Sequence, residues 1–128
     1  MHTIRLRGPW QKVLLGDAQP TRVTIPETGP GSSPGASYKR KFNCPTGIEN
    51  ATVYLAIDGW RGRLNALALN DKQLPITVAP LKIDVTNHLQ SQNTLTIHLS
   101  SDDEPSTLSG EVSLRIDETN SVSDAASQ

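Results

Sequence analysis

Between residues 51 and 99 apolar and polar side chains alternate in short runs broken by turn residues, and a period of two confines this stretch to β-structure. Val53, Leu55 and Ile57 fall on one side of an extended strand; Thr52, Tyr54, Ala56 and Asp58 fall on the other. Residues 64–69 are nearly continuous in small and branched apolar side chains, as expected of a strand covered on both faces. Asn70 and Asp71 tolerate the left-handed backbone that a tight hairpin turn demands. Leu81, Ile83 and Val85 alternate with Lys82 and Asp84, and Leu95, Ile97 and Leu99 alternate with Thr94, Thr96 and His98. Val112, Leu114 and Ile116 repeat the pattern. No segment carries an apolar stripe at helical spacing, and residues 86–90 allow one helical turn at most. The predicted fold is all-β, an antiparallel β-sandwich of about eight strands.

The flanks are less regular. Ile4 and Leu6 alternate with Arg5 and Arg7, and Val23 and Ile25 alternate with Arg22 and Thr24 until Pro26 ends the ladder by offering no N–H. Residues 27–37, rich in Gly, Pro, Ser and Thr, read as a surface loop that buries nothing. Tyr38, Arg40 and Phe42 then share one face and Lys39 and Lys41 the other, with Phe42 expected inward. Cys44-Pro45-Thr46-Gly47 turns the chain. An open or Ω-like loop, residues 100–109, separates the last two strands. The sandwich is expected over residues 1–116; residues 117–128, polar and Ser-rich, are expected to form a disordered tail.

Composition closes off several classes of function. A chain of 128 residues is one ordinary domain. Its formal net charge is −1, with 13 acidic and 12 basic residues mixed along the chain, which argues against a nucleic-acid partner. The clusters Arg5/Arg7 and Lys39-Arg40-Lys41 read as solvated strand faces. Cys44, the single cysteine, has no disulfide partner and reads as a structural thiol. His2, His88 and His98 are isolated in sequence, and Asp102-Asp103-Glu104 reads as a solvated acidic turn rather than a calcium site. No metal or cofactor is therefore expected. No apolar run approaches the ~20 residues of a membrane helix, and the N-terminus lacks the apolar core of a secretory signal. A cytoplasmic location without membrane contact is the expectation, which leaves the sequon Asn50-Ala51-Thr52 no opportunity to be glycosylated. Glu27, Glu49, Glu104, Glu111 and Glu118 show no pairing among themselves, and no Gly-x-Ser-x-Gly elbow occurs, so the chain is not expected to be an enzyme.

With the strands placed, the order of motifs resembles the N-terminal sugar-binding domain of glycoside hydrolase family 2. The likeness begins at Gly8-Pro9-Trp10 and the proline-closed Val23-Thr24-Ile25-Pro26. It continues through Tyr38-Lys39-Arg40-Lys41-Phe42 with Pro45 after it, the strand from Thr52 to Asp58-Gly59, and Leu67-Ala68-Leu69-Asn70-Asp71. It ends at Ile83-Asp84-Val85-Thr86, Leu89 and Asn93-Thr94-Leu95-Thr96-Ile97. The resemblance implies a jelly roll of the galactose-binding-domain-like kind. One departure is Asp71, where the family's turn usually carries Gly. A larger one is that no barrel domain follows, and the family's catalytic carboxylates belong to that barrel. The resemblance therefore implies no activity here.

Carbohydrate binding is the function to test first, because sugar C–H faces stack on aromatic rings while planar polar groups hold the hydroxyls. The chain has only two Trp, two Tyr and one Phe. Trp60 lies in Asp58-Gly59-Trp60-Arg61-Gly62-Arg63, a connection between core strands, so Trp60, Arg61, Arg63, Asp58 and Tyr54 form the candidate ligand-binding set. The same ring also reads as a cap folded over the open end of the sandwich. Trp10, Asp84 and Asn93 read as structural. The competing class is a protein-docking or structural module that braces a partner such as a glycoside hydrolase without binding sugar, with edge strands and the Trp60 region as its contact surface.

Overall fold

The computed structural model describes residues 2–17 and 19–118 and arranges them as two antiparallel sheets around a shared apolar core. The described strands are β1 (His2–Arg5), β2 (Trp10–Leu14), β3 (Thr21–Val23), β4 (Gly35–Asn43), β5 (Thr52–Ile57), β6 (Arg63–Leu69), β7 (Lys72–Gln73), β8 (Leu81–Asp84), β9 (Gln92–Ser100) and β10 (Val112–Asp117). One sheet has the order β1-β10-β5-β8; the other has the order β3-β2-β4-β9-β6-β7. The β-sandwich inferred from periodicity is the observed architecture. Among the described residues no helix is long and apolar enough to cross a membrane.

The two strands beyond the expected eight have physical causes. In β2 the inward positions are Trp10 and Lys12, so a buried lysine stands where alternation calls for a hydrophobe. In β7 two residues are too few to show a period. Trp10 is fully buried and its indole N–H donates to the Leu6 carbonyl at 2.7 Å, in keeping with its structural reading.

Three local expectations are corrected. Strand β6 is not covered on both faces: a register shift between Leu64 and Ala66 lets Leu64, Leu67 and Leu69 all face the core, while Asn65, Ala66 and Ala68 are left at or near the surface. The stretch 27–37 does bury side chains, since Ser32 and Ala36 are inaccessible and β4 already begins at Gly35. The loop 100–109 is open only in its first half. Ser106, Thr107 and Leu108 are buried, and bridges Ser32↔Ser106 and Arg61↔Thr107 stitch them to the sandwich. Of the expected tail, Asp117 closes β10 opposite Thr52, and residues 119–128 lie outside the described residues.

The expected single helical turn is a 3-10 turn, Thr86–His88. It is anchored by Thr86, whose hydroxyl donates to Asp84 Oδ1 at 2.6 Å and accepts the Val53 N–H at 2.9 Å, extending the β5–β8 ladder past the end of β8. These Thr86 bonds, from the hydroxyl first and the backbone N–H second, hold the Asp84 carboxyl below the usual aspartate range. Thr86→Val keeps the shape but orphans the Val53 N–H, and is expected to cost about 1–2 kcal/mol in urea denaturation. A loss below about 0.5 kcal/mol, the range of neutral surface changes, would mean that water replaces the hydroxyl.

Candidate functional site

Strands β4 and β9 pair in unbroken register from Gly35↔Ser100 to Asn43↔Gln92. Because side chains alternate across a strand, Tyr38 and Ile97 enter the core from this pair while Lys39, Lys41, Thr94 and Thr96 face outward. Short threonines thus lie directly beside long lysines: Lys39 opposes Thr96 and Lys41 opposes Thr94. The outcome is an open cleft of about 1010 Å³ running from Lys39 and Thr96 toward the β6–β7 turn, with Phe42, Asn43 and Gln92 also on its walls.

The far end of the cleft is fixed by a two-residue turn. Asn70 and Asp71 have φ of 53° and 68°, the paired left-handed conformations that suit a tight hairpin, so Asp71 serves where the family pattern has Gly. The Asn70 amide donates to Asn93 Oδ1 at 2.8 Å and to the His88 carbonyl at 3.1 Å, and its oxygen accepts the Thr94 N–H at 2.9 Å. Asn93, nearly fully buried, accepts from Gln90 N–H and donates to Gln90 O, both at 2.8 Å. The structural role expected of Asn93 is the one observed. This amide pair sets the rim of the cleft before any ligand arrives.

On the core side of the same strands lies a polar cluster that sequence reasoning missed. Lys12 Nζ pairs with Glu27 Oε2, and both side chains are only 11 % exposed. The Tyr38 hydroxyl donates to Glu27 Oε1 at 2.6 Å, and the Leu108 N–H reaches the same oxygen at 3.4 Å. Burial first, then the bond to Glu27 and its negative charge, push the Tyr38 phenol far above the usual tyrosine range, so it stays a donor. Glu27, expected only to lack pairing with the chain's other glutamates, is held by a lysine and a tyrosine. The signal was out of reach because Lys12, Glu27 and Tyr38 lie on three separate segments.

The five residues singled out from sequence are distributed as follows. Tyr54 and Asp58 follow the outward phase of β5: Lys82 sits 4.4 Å from the Tyr54 ring centre, and Asp58 accepts from Arg115 at 3.2 Å. Asp58 lines a shallow depression together with Arg5, Glu111 and Arg115, and there Glu111 pairs with Arg5. Trp60 lies in the crossover from β5 to β6, which belong to different sheets, and is half-buried against the core. Arg61 and Arg63 are exposed; Arg61 exchanges backbone hydrogen bonds with Thr107. None of the five lines the β4–β9 cleft. Lys39, Lys41, Thr94 and Thr96 were legible as outward strand positions, but the pairing that assembles them was not.

No protein-family model matches the chain, and no curated protein matches it. Solved structures do. The β-D-mannosidase of Dictyoglomus thermophilum superposes with a TM-score of 0.72 at 14% identity over 90% of this chain and 22% of its own. An FMN-binding β-glucuronidase from Facaelibacterium prausnitzii L2-6 gives 0.69 at 21% identity over 88% of this chain and 22% of its own. A Bacteroides uniformis β-glucuronidase gives 0.71 at 17% identity over 90% and 18%. The chain thus spans about a fifth of the length of these enzymes. At such identities the likeness is one of fold. The chain has the β-sandwich architecture of a module found within β-glycosidases, and the resemblance drawn from its motifs holds at that level.

Proposed function

We propose that this domain is a non-catalytic carbohydrate-binding module whose contact surface is the β4–β9 cleft. The observation that carries this reading is the cleft's lining: Asn43, Gln92, Thr94 and Thr96 bring amides and hydroxyls, and Lys39 and Lys41 bring ammonium groups, to one open trough, while the Phe42 ring packs against the core. Such groups hydrogen-bond sugar hydroxyls. Support for a saccharide comes also from the neighbours sharing the fold, which are named as glycosidases. The non-catalytic assignment rests on the carboxylates already engaged: Glu27 by Lys12 and Tyr38, Glu111 by Arg5, Asp58 by Arg115.

A second reading, docking on a partner, is favoured by a different observation: the fold occurs in the neighbours as a fifth of a longer chain. An amide NMR titration with neutral and acidic oligosaccharides separates the two. Saturable shifts at Lys39, Lys41, Thr94 and Thr96 are expected. Shifts confined to Arg61, Arg63 and the Trp60 indole would move the site to the crossover. No shifts with any saccharide at millimolar concentration would remove the sugar reading in favour of docking.

A further inference from the structure

Resting on the carbohydrate reading of the cleft, we propose that its ligand is an acidic oligosaccharide, one that presents uronate carboxylates to Lys39 and Lys41. A smaller pocket of about 250 Å³ adjoins the cleft, shares Lys39, Arg40 and Lys41 with it, and adds Gln11 and Arg22. Strand pairing explains the continuity. Arg22 opposes Gln11, Gln11 opposes Lys39, and Lys39 opposes Thr96, so one outward row crosses β3, β2, β4 and β9. Lys41 stands two residues further along the same face of β4, about 7 Å from Lys39 at the usual strand rise.

The charge of this row is uncompensated. Among the described residues Lys39, Lys41 and Arg22 enter no ion pair, although Arg5, Lys12 and Arg115 all do. Asp71, at the turn, is the single acid among the residues lining the two pockets. Arg40 alternates to the other face of β4, opposite the buried Leu95, and is not part of this row. Lysines on an edge strand would be explained by protection against strand pairing, but β4 lies between β2 and β9 in the middle of its sheet. Like charges aligned on one face repel, and a bound anion relieves that repulsion.

The flanking chemistry selects among anions. A carboxylate takes charge-assisted hydrogen bonds from lysine, and Gln11, Thr94 and Thr96 beside the cations, with Gln92 beyond Lys41, offer partners to the hydroxyls of the same sugar ring. Nucleic acid would meet a chain with net charge −1 and, along this row, no exposed aromatic side chain for base stacking.

The test is isothermal titration of the folded domain with tetra-galacturonate and tetra-glucuronate, each beside its carboxyl-reduced neutral counterpart, at low and high salt. The acidic sugars are expected to bind more tightly and to weaken as salt rises. In K39Q/K41Q, two exposed substitutions whose fold is checked by NMR, they should lose affinity on the order of tenfold. Equal binding of acidic and neutral forms would overturn the inference while leaving the sugar reading intact. Binding of neither form would overturn both. Acid binding undiminished in K39Q/K41Q, or single-stranded DNA binding as tightly as the uronates, would also overturn the inference, by showing an anion site elsewhere or mere polyanion attraction.

Discussion

Replacing Glu27 with alanine is expected to cost about 3–5 kcal/mol in stability, because it strands a buried lysine. Lys12 projects into the sandwich from β2, and its ammonium meets one carboxylate there. The substitution also removes the acceptor of the Tyr38 hydroxyl and of the Leu108 N–H. Against the 5–15 kcal/mol typical of a domain, such a loss brings the variant close to unfolding, and urea denaturation near neutral pH measures it directly. The triple variant Lys12→Met, Glu27→Leu, Tyr38→Phe removes every side-chain member together and is expected to recover most of the loss, since apolar replacement of a buried ion pair is often neutral or better. If Glu27→Ala costs under about 1 kcal/mol, as exposed pairs do, water reaches the cluster and the cost of stranding Lys12 falls away.

Gly110→Ala is expected to be the next most damaging single change. The Gly110 N–H donates to the Gly59 carbonyl at 2.8 Å, and a Cβ at residue 110 would lie 2.6 Å from that oxygen and 2.8 Å from Gly59 Cα. The obstacle is backbone rather than the end of a flexible side chain, so the crossover carrying Trp60 must shift. Overpacking of this kind costs about 1–3 kcal/mol, occasionally more. Loss of stability is expected together with a changed Trp60 fluorescence, while Trp10, on the other sheet, reports no change. An unaltered Trp60 signal would show that the strain is absorbed in the loop before β10.

What could be read from the chain and what could not divide along one physical line. Periodicity is local, so β5, β8, β9 and β10 were visible wherever a strand presented one apolar face, and Asn70-Asp71 announced its turn by residue type. Partnership is not local. Glu27 was placed in a surface loop and nothing marked Lys12 as its partner; only the folded chain brings them together. The same holds for the cleft: Lys39 and Thr96 are far apart in sequence, and nothing in either strand names the other as its neighbour. The irregular β6 was misread because one register shift restores the core phase after Leu64, a change that periodicity records only as a continuous apolar run. Trp60 drew notice because aromatics are few, yet scarcity identifies a residue without saying which way its ring faces.

The lengths of the outermost strands have a consequence for how this module meets other molecules. The six-stranded sheet ends in β3, with three residues, and β7, with two. The four-stranded sheet is bounded by β1 and β8, with four residues each. At β1, β3 and β8 an incoming extended peptide finds few open backbone groups to add itself as a further strand, while β7 covers only Ala68 and Leu69 of β6. Copies of the domain crowded together likewise find only short templates for sheet-to-sheet growth. Short outer strands thereby favour recognition through the side chains displayed on the broad surfaces of the sheets.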